Sequence, residues 1–250
     1  VSARPVDYLQ VLTLTDDKEV VVVAEIDKVG LTGDDGFDKL LSPHLTFLQK
    51  VEAVSHTPLG AIAPTENACA TSDTYVLGEI MQDLASAKAY DSTVHYKVAN
   101  TGTLSPYLFR WGSQPMRYLR NDYKYPVVAK GEFSARLGAT YQRRAASPKV
   151  IIKGLTLLDG ALDLDGAFVP GKSTLVICSP DADTLKLIAG ILNSKPASFY
   201  VRNKYASASY NGGVVFKPEM IDSIPVPDTL DRPAIVGLVD KTIEAKTTMD

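Results

Sequence analysis

The sequence predicts an α+β fold with a sheet-rich middle and a helical C-terminal part. Short apolar and β-branched runs, separated by Gly, Pro and Asp, fill most of the stretch from residue 95 to residue 179, which is typical of strands and turns. Apolar residues at helical spacing then follow in 181–204 and 232–246. A length of 250 residues, with 45% hydrophobic and 22% charged residues, is typical of a soluble globular protein with a substantial core.

The N-terminal stretch predicts a strand pair followed by a helix. In "VDYLQVLTLTDDKEVVVVAEI" two β-branched runs flank a Thr-Asp-Asp-Lys turn. A Gly- and Asp-rich segment then leads into one or two short helices that break at Ser42-Pro43. The character of the sequence changes near Thr57, so we predict a division of the chain into residues 1–57 and residues 58–250.

The middle of the chain predicts short strands joined by tight turns. "HYKVANTG", "PYLFRW" and "YPVVAK" are predicted strands, and "MQDLASAKAYD" before them predicts a helical turn or two. The run that begins at Lys149 predicts a strand, a turn at Asp159-Gly160, a second strand, a turn at Asp165-Gly166 and the buried strand "STLVICS". Asp-Gly pairs favour such reversals because both residues tolerate a left-handed backbone.

The C-terminal part predicts three helices. The first begins at Ser179 or Asp181, where a proline and acidic residues fill the first turn, and Asn193-Ser194 caps the second with Pro196 in its first turn. The third is "DRPAIVGLVDKTIEAK". Helical spacing of apolar residues predicts a core-facing side in the first and third helices, formed by Leu185, Leu187, Ile188, Ile191, Leu192, Ile235, Leu238, Val239 and Ile243.

The net charge of −3 hides a strong segregation of charge along the chain. Residues 1–100 carry 7 Lys and Arg against 15 Asp and Glu, and residues 154–250 carry 9 against 12. Residues 101–153 carry 10 cations against only Asp122 and Glu132. A basic block of this density favours binding of a polyanion over a random drift of surface charge.

Duplex DNA binding requires cations against phosphates and forked side chains at the edges of bases. The block offers ten cations, with aromatic and amide residues between them. They are Arg110, Arg117, Arg120, Lys124, Lys130, Arg136, Arg143, Arg144, Lys149 and Lys153. We predict that Arg117, Arg120, Arg143 and Arg144 are the best candidates for groove or phosphate contact.

Each of these residues also has a purely structural interpretation. Arg143 and Arg144 could form a solvated turn before Pro148, and Lys153 could be the exposed alternate residue of a strand. Trp111 and Tyr118 are expected to pack in the core or at its rim rather than to stack on bases.

The sequence contains no recognisable catalytic or metal-binding motif. It lacks a glycine-rich phosphate loop, a Gly-x-Ser-x-Gly elbow and a His-Glu-x-x-His pair. Asp228, Glu244 and Lys246 mimic a nuclease pattern, but Glu244 and Lys246 lie in a helical pattern, which indicates a solvated helix face instead. Cys69 and Cys178 are predicted to be free thiols in a reducing cytoplasm. No apolar run approaches the length of a membrane span.

The C-terminal third resembles a known family. The ordered string is "PKVIIKGL", a strand ending "TLVICS", "LKLIAGILNSKPASFYVRNKY", "GGVVFKPEMIDSIPVP" and a closing helix. It resembles the TaqI-like specificity domain, the C-terminal target-recognition domain of adenine-specific DNA methyltransferases and of fused restriction-modification enzymes. The resemblance covers residues 148–245 and extends more weakly over 58–147.

This resemblance implies sequence-specific recognition of double-stranded DNA beside a methyltransferase domain or subunit. Residues 1–57 would then connect to that upstream domain, which would bind S-adenosylmethionine, and the chain itself would hold no cofactor. The Asn-Pro-Pro-Tyr type of catalytic tetrapeptide is absent from the chain, so the resemblance implies the recognition part without the chemistry.

The stretch "FYVRNKYASASYNGGVVFKP" adds further candidates beside the basic block. Arg202, Lys204 and Lys217 are predicted to contact the DNA backbone, and Tyr210 could hydrogen-bond a phosphate or belong to a plain surface loop. Gly212-Gly213 is predicted to bring the chain close to a neighbouring segment. The alternative function is a protein-interaction module of a multi-subunit restriction-modification or phage-defence complex, which docks through the acidic N-terminal part and the C-terminal helix.

Overall fold

The computed structural model describes residues 8–27, 39, 42, 44–210 and 213–248, and its fold is α+β, as predicted. The strands in this part of the chain are β1 (Tyr8–Leu14), β2 (Val20–Asp27), β3 (His56–Pro58), β4 (Thr65–Asn67), β5 (Gln82–Asp83), β6 (His95–Ala99), β7 (Met116–Tyr118), β8 (Asn121–Tyr123), β9 (Pro126–Ala129), β10 (Lys149–Lys153), β11 (Leu155–Thr156), β12 (Gly160–Asp163), β13 (Phe168–Pro170), β14 (Thr174–Cys178), β15 (Ser209–Tyr210), β16 (Gly213–Val215) and β17 (Pro225–Pro227).

The helices alternate with these strands along the chain. They are α1 (Leu45–Ala53), α2 (Leu59–Ile62), α3 (Thr71–Ile80), α4 (Lys130–Arg136), α5 (Ala139–Ala146), α6 (Ala182–Leu192), α7 (Lys195–Lys204), α8 (Pro218–Asp222) and α9 (Arg232–Thr247).

Two four-stranded sheets pack face to face in the centre of the fold. The first sheet has the order β12-β10-β14-β4 and is antiparallel throughout, and the second has the order β13-β6-β9-β5, in which only β13 and β6 are parallel. Buried side chains of both sheets meet between them, among them Ile151 and Val176 from the first and Ala99 and Phe168 from the second. Because successive side chains of a strand point to opposite faces of the sheet, the other side chains of each sheet point outward, where helices can pack on them.

Helices cover the two outer faces of this pair of sheets. Val150 and Ile152 of the first sheet pack in one apolar cluster with residues of α6 and α7. Val98 and Val128 of the second sheet pack in another cluster with residues of α3, α4 and α5. The architecture is therefore four layers, in the order helices, sheet, sheet, helices.

The predicted helix starts of the C-terminal part and the predicted turn at Asp165-Gly166 are confirmed, whereas the reversal predicted at Asp159-Gly160 occupies residues 154–159, and Gly160 is the first residue of β12. Asp181 caps α6 by accepting the backbone N–H groups of Asp183 and Thr184, at 3.3 and 3.1 Å. Ser194 caps α7 by accepting the N–H of Ala197 at 3.2 Å. The turn at Asp165-Gly166 needs its glycine, because Gly166 has φ +62° and a Cβ atom there would lie 2.1 Å from the carbonyl oxygen of Ala146.

Several elements differ from the sequence-based expectation. Helices α3, α4 and α5 were not predicted, because each is short and buries only three, one and two side chains respectively, so helical periodicity is weak. In "MQDLASAKAYD" one predicted helical turn is present, as a 3₁₀ turn over Ala87–Ala89, but Gln82–Asp83 form strand β5. "PYLFRW" forms isolated bridges rather than a strand. In α6 the predicted core face is confirmed except for Ile191, which is half-buried.

The predicted core face of α9 is wrong for Leu238. Of the residues in α9, Val239 is buried, Ile235 and Ile243 are half-buried, and Leu238 is 58% exposed. The helix packs on α6 through a narrow strip, so one side of an apparently amphipathic pattern remains at the surface.

The N-terminal hairpin and α1 follow the prediction. Strands β1 and β2 pair antiparallel, with a register shift between Val11 and Leu12. Helix α1 places Leu48 in the apolar cluster under the first sheet, and β3 pairs with β17. The predicted break at Ser42-Pro43 lies partly outside the described residues, and the division at residue 57 stays a prediction. No helix in the described part of the chain is both long and apolar enough to cross a membrane.

Candidate nucleic-acid interface

Folding brings acidic residues from elsewhere in the chain onto much of the basic block. Arg136 forms an ion pair with Glu79 of α3, and Arg143 and Arg144 pair with Glu66 of β4. Lys149 and Lys153 pair with aspartates that follow them in sequence. Half of the ten cations therefore have a carboxylate partner in the same chain. The unbalanced positive charge comes from a shorter part of the chain than residues 101–153.

One carboxylate holds the two adjacent arginines at the end of α5. An Nη atom of Arg143 lies 3.0 Å from each oxygen of Glu66, and Arg144 donates from Nε and Nη2 to Glu66 Oε2 at 2.9 and 2.5 Å. Arg144 is the more buried of the two, with 18% of its side chain exposed, against 51% for Arg143. Arg143 and Arg144 thus connect α5 to the edge strand β4 through Glu66. The interpretation of these two arginines as a plain solvated turn is wrong, because both are helical.

Burial alone would raise the pKa of Glu66, but the hydrogen bonds and charges of Arg144 and Arg143 outweigh it and hold the pKa below the ordinary value of 4.5. A carboxylate whose pKa is lowered by folding stabilises the folded state at pH values above its unfolded-state pKa. This stabilisation is lost as the pH falls through the folded-state pKa. Glu66→Gln should therefore cost about 1 kcal/mol at pH 7 and progressively less below about pH 4. Urea unfolding at a series of pH values measures the difference.

The matched control for Glu66→Gln is Glu79→Gln, at the more exposed pair with Arg136, where 44% and 62% of the two side chains are accessible. This control should cost a few tenths of a kcal/mol, because exposed pairs contribute little. A cost of Glu66→Gln that does not change with pH would contradict the role given to its charge.

Lys149 is removed from the candidate interface because it is completely buried. Its Nζ donates to Asp163 Oδ2 at 2.5 Å and to the carbonyl oxygens of Ala145 and Ser147 at 2.7 and 3.2 Å. Burial lowers the pKa of Lys149, and the Asp163 charge opposes that effect. Asp163 also accepts hydrogen bonds from the backbone N–H groups of Ala167 and Phe168. The Lys149–Asp163 ion pair therefore connects α5, β10 and the β12–β13 turn inside the protein.

Two further candidates take part in internal networks. Lys153 donates to Asp159 at 2.6 Å and is mostly buried. Lys204 donates to Glu52 of α1 at 3.0 Å and to the hydroxyl of Tyr200 at 2.7 Å. Burial would raise the pKa of Glu52, but hydrogen bonds from Lys39, Tyr200 and Lys204 hold it below its ordinary value. Lys204 thus joins α7 to α1, and a DNA contact would have to compete with Glu52.

The remaining five cations of the block lie between residues 110 and 130. Arg110, Arg120 and Lys124 are exposed and form no ion pair with any residue that the structure describes. Lys130 donates to the carbonyl oxygen of Ser92 at 2.7 Å and lies 4.8 Å from the ring centre of Tyr96. Arg117 is 71% exposed, and its Nη1 lies 3.7 Å from a carboxylate oxygen of Asp122, an ion pair worth little in water.

Most of these cations lie on or beside the β7–β8 hairpin. Met116 and Tyr118 point into the core, and the Tyr118 hydroxyl donates to the carbonyl oxygen of Thr74 at 3.1 Å. The alternate residue Arg117 therefore points outward, and Arg120 lies in the connecting loop. A two-stranded hairpin of this kind fits the width of the DNA major groove.

The base of the hairpin is fixed from a neighbouring strand. The carboxylate of Asp83 in β5 accepts the backbone N–H groups of Lys124 and Tyr125, at 2.9 and 2.5 Å. Leu119 at the hairpin loop has φ +53°, a left-handed conformation uncommon for leucine, and its side chain lies against Gly78 of α3. The hairpin is thus anchored on one side and presents cations on the other.

Two loops extend this surface beyond the hairpin. Gln114 Nε2 donates to the carbonyl oxygen of Gly102 at 2.9 Å, and Thr101 Oγ1 donates to that of Ser173 at 2.9 Å. These contacts place exposed Lys172 beside the loop that carries Arg110. Lys172 was not among the predicted residues. The turn "PGKS" was a signal for an exposed lysine, but its position beside Arg110 depends on contacts about seventy residues apart.

Lys97 of β6 is a second cation that the sequence did not point to. Its Nζ lies 4.6 Å from the ring centre of Tyr90 and 4.7 Å from that of Trp111, and Phe168 lies beneath it at 5.5 Å. Burial lowers the pKa of Lys97, partly offset by the charge of Asp163. Trp111 donates its Nε1–H to the carbonyl oxygen of Pro126 at 2.9 Å, so it packs at the rim of the core, as expected, while Tyr118 is buried.

The candidates of the C-terminal stretch are dispersed. Arg202 of α7 and Lys217, which precedes α8, are exposed, and the backbone of Tyr210 pairs with Gly213, while its side chain lies outside the described part. Gly213 approaches its neighbour closely, as predicted, because a Cβ atom there would lie 2.4 Å from Cα of Thr156. The contacts described for these residues do not join them to the β7–β8 hairpin.

The nuclease-like residues are not assembled into a site. Asp228 accepts hydrogen bonds from Ser55 and Thr57, and Glu244 lies about 18 Å along α9 from its first residue, at 1.5 Å per residue. Lys246 donates to the carbonyl oxygen of Pro106 at 3.2 Å. Among the described residues no group of three or more His, Cys, Asp and Glu side chains could hold a metal ion.

The two cysteines are free thiols, as predicted. Burial raises the pKa of both Cys69 and Cys178, so neither thiol is activated as a nucleophile at neutral pH.

Comparison with known proteins adds no identification. No protein-family model matches the chain, and no curated protein matches it. The resemblance to the TaqI-like specificity domain therefore stays a prediction from the sequence.

Proposed function

We propose that this chain recognises double-stranded DNA as the specificity domain of a restriction-modification DNA methyltransferase and carries out no chemistry itself. The proposal combines the resemblance of residues 148–245 with the distribution of cations. In this proposal the chain acts in the cytoplasm beside a methyltransferase domain or subunit that binds S-adenosylmethionine. The parent enzyme methylates adenine, with or without an endonuclease activity.

The observation that carries the proposal is the group of unneutralised cations at residues 110–130. Arg110, Arg117, Arg120, Lys124 and Lys130 face no carboxylate closer than the 3.7 Å contact of Arg117 with Asp122 among the described residues. Arg117, Arg120 and Lys124 lie on or next to the β7–β8 hairpin, whose other face is anchored in the core, and Arg110 and Lys130 lie in the segments before and after it. Exposed cations on an anchored hairpin suit phosphate contact and base reading in one groove.

The other predicted residues have a smaller part in this proposal. Arg136, Arg143, Arg144, Lys153 and Lys204 form ion pairs with carboxylates of the same chain. We assign Arg143, Arg144, Lys153 and Lys204 to stabilising the fold, give Arg136 no main part in DNA contact, and keep Arg202, Tyr210 and Lys217 as contacts to the DNA backbone at the periphery.

Filter binding of duplex DNA to the parent enzyme over a series of salt concentrations tests the proposed function. The logarithm of the affinity should fall linearly with the logarithm of the salt concentration, with a slope of about 0.9 per phosphate neutralised. Five contacting cations would give a slope of about 4 to 5. Absence of duplex binding at low salt would sink the proposal.

The alternative, a protein-interaction module, is supported by the N-terminal hairpin. Leu12, Leu14, Val20 and Val22 lie on one face of β1 and β2 and are 47–66% exposed. Isolated two-stranded hairpins are marginal in water, and an apolar stripe of this kind favours a protein partner. In this second proposal the hairpin docks on the methyltransferase domain or subunit. It predicts that Leu14→Asp weakens assembly with that partner and leaves DNA affinity unchanged.

A further inference from the structure

The loop of the β7–β8 hairpin contains a residue in an unfavourable backbone conformation. Only two residues, Leu119 and Arg120, join the strands, and Leu119 has φ +53°. In two-residue hairpin loops a left-handed first residue is usually glycine, because a Cβ atom there approaches the following carbonyl oxygen. Strain of this kind persists only where surrounding contacts hold it, and it is concentrated at functional sites.

Helix α3 provides the contact that holds Leu119. A Cβ atom at Gly78 of this helix would lie 2.7 Å from Leu119 Cδ1, so the leucine side chain occupies space that a larger residue at position 78 would fill. The ring of buried Tyr118 passes the same point, with Cε1 3.5 Å from that Cβ position. The hairpin loop thus packs on α3 through two consecutive side chains.

Leu119 lies between the two arginines that we assign to DNA contact. The Arg120 side chain is exposed and has no hydrogen-bond or ion-pair partner among the described residues. The position of its guanidinium therefore depends on the backbone of the two-residue loop. Arg117 is two residues before Leu119 on the adjoining strand, and its only ion pair is the long contact with Asp122. A loop that moved off α3 would therefore carry both arginines with it.

We propose that Leu119 is a positioning residue for DNA recognition, which holds the hairpin loop on Gly78 so that Arg117 and Arg120 face one groove of the duplex. The inference rests on the proposed function. Cations that are held in the bound arrangement before the DNA arrives lose less freedom on binding, which raises the affinity. Without this contact the number of cations is the same, so the affinity falls while the number of neutralised phosphates does not change.

Two substitutions remove the contact from opposite sides without removing a cation. Leu119→Gly deletes the side chain and tolerates the left-handed backbone, and Gly78→Ala places a Cβ atom against the position of Leu119 Cδ1. Fluorescence anisotropy with the complete chain and a pool of mixed-sequence DNA duplexes measures the effect. Each variant should bind about fivefold to tenfold more weakly, with an unchanged dependence of the affinity on salt.

Stability separates positioning from a purely structural role. Alanine favours a helix over glycine, so the melting temperature of Gly78→Ala should not fall although its DNA affinity does. The matched control is Gly237→Ala in α9, where a Cβ atom would meet no described atom of another part of the chain within 4 Å. This control should leave the DNA affinity unchanged. A fall in melting temperature that accompanies the loss of affinity in both hairpin variants would contradict the proposal.

The variant that lacks both Arg117 and Arg120 distinguishes failure of this inference from failure of the proposed function. If that variant weakens DNA binding but Leu119→Gly and Gly78→Ala do not, the positioning role is wrong and the proposed function stands. If the arginine variant binds DNA as tightly as the original chain, both are wrong. Weaker binding in Leu119→Gly alone would show that Leu119, which is 42% exposed, contacts the bases directly, and this result also overturns the proposal.

Discussion

Replacing both Arg117 and Arg120 by alanine is expected to weaken duplex DNA binding by tenfold or more at 0.1 M salt. Arg117 projects from the outer face of β7 and Arg120 from the loop of the same hairpin, so one change removes two fixed cations from one place. Each lost phosphate contact should also lower the salt slope by about 0.9. Fluorescence anisotropy at several salt concentrations measures both effects.

The control for this variant removes the same charge elsewhere. Lys195 and Lys241 are exposed on α7 and α9, outside the hairpin, and Lys195→Ala with Lys241→Ala should leave both the affinity and the slope within twofold of the original values. The melting temperature should be unchanged in both double variants, because these side chains are exposed. If the control weakens binding as much as the hairpin variant does, net charge rather than the hairpin governs DNA binding.

Lys149→Met is expected to destabilise the fold by about 3–5 kcal/mol, the largest effect on stability that we predict. Methionine fills a similar volume, but the buried carboxylate of Asp163 would lose its ion-pair partner, and only the charge of Lys97, which forms no ion pair with it, would remain nearby. The carbonyl oxygens of Ala145 and Ser147 would also lose their donor. Urea unfolding at pH 7 gives the change in the free energy of unfolding.

Two further variants separate the buried charge from simple packing. Lys149→Met combined with Asp163→Asn should recover part of the loss, because the unpaired charge is removed, although the amide cannot accept all the hydrogen bonds that the carboxylate accepts. Lys153→Met, on the same strand at a more accessible pair, should cost clearly less. Equal losses for Lys149→Met and the double variant would show that the Asp163 charge does not contribute.

Features encoded by neighbouring residues were predictable from the sequence. The caps at Asp181 and Ser194 lie within three residues of the N–H groups they accept, and the turn at Asp165-Gly166 is specified by its own residues. Strands β10, β12 and β14 pair with one another, and their pattern of apolar residues was sufficient to predict them, whereas β11 and β13 pair with the distant strands β16 and β6 and were not predicted. The α+β class followed from these elements.

The candidate site was less predictable because its electrostatics depend on contacts between distant parts of the chain. Glu66 lies 77 residues from Arg143, and Glu79 lies 57 residues from Arg136. The basic block therefore spans 53 residues in the sequence, but the cations without a close carboxylate partner lie within about twenty of them, residues 110–130. Lys97 and Lys172 join the same region only through strand and loop contacts that no local pattern specifies.

Photo-crosslinking to duplex DNA that carries bromodeoxyuridine tests the central claim most directly. With the chain bound to a pool of mixed-sequence duplexes at low salt, the crosslinked peptides identified by mass spectrometry should come from residues 100–130, which contain the β7–β8 hairpin and the loop of Arg110. Crosslinks concentrated instead in α5 and β10, or in α7, would contradict the assignment of the hairpin as the DNA-contacting element.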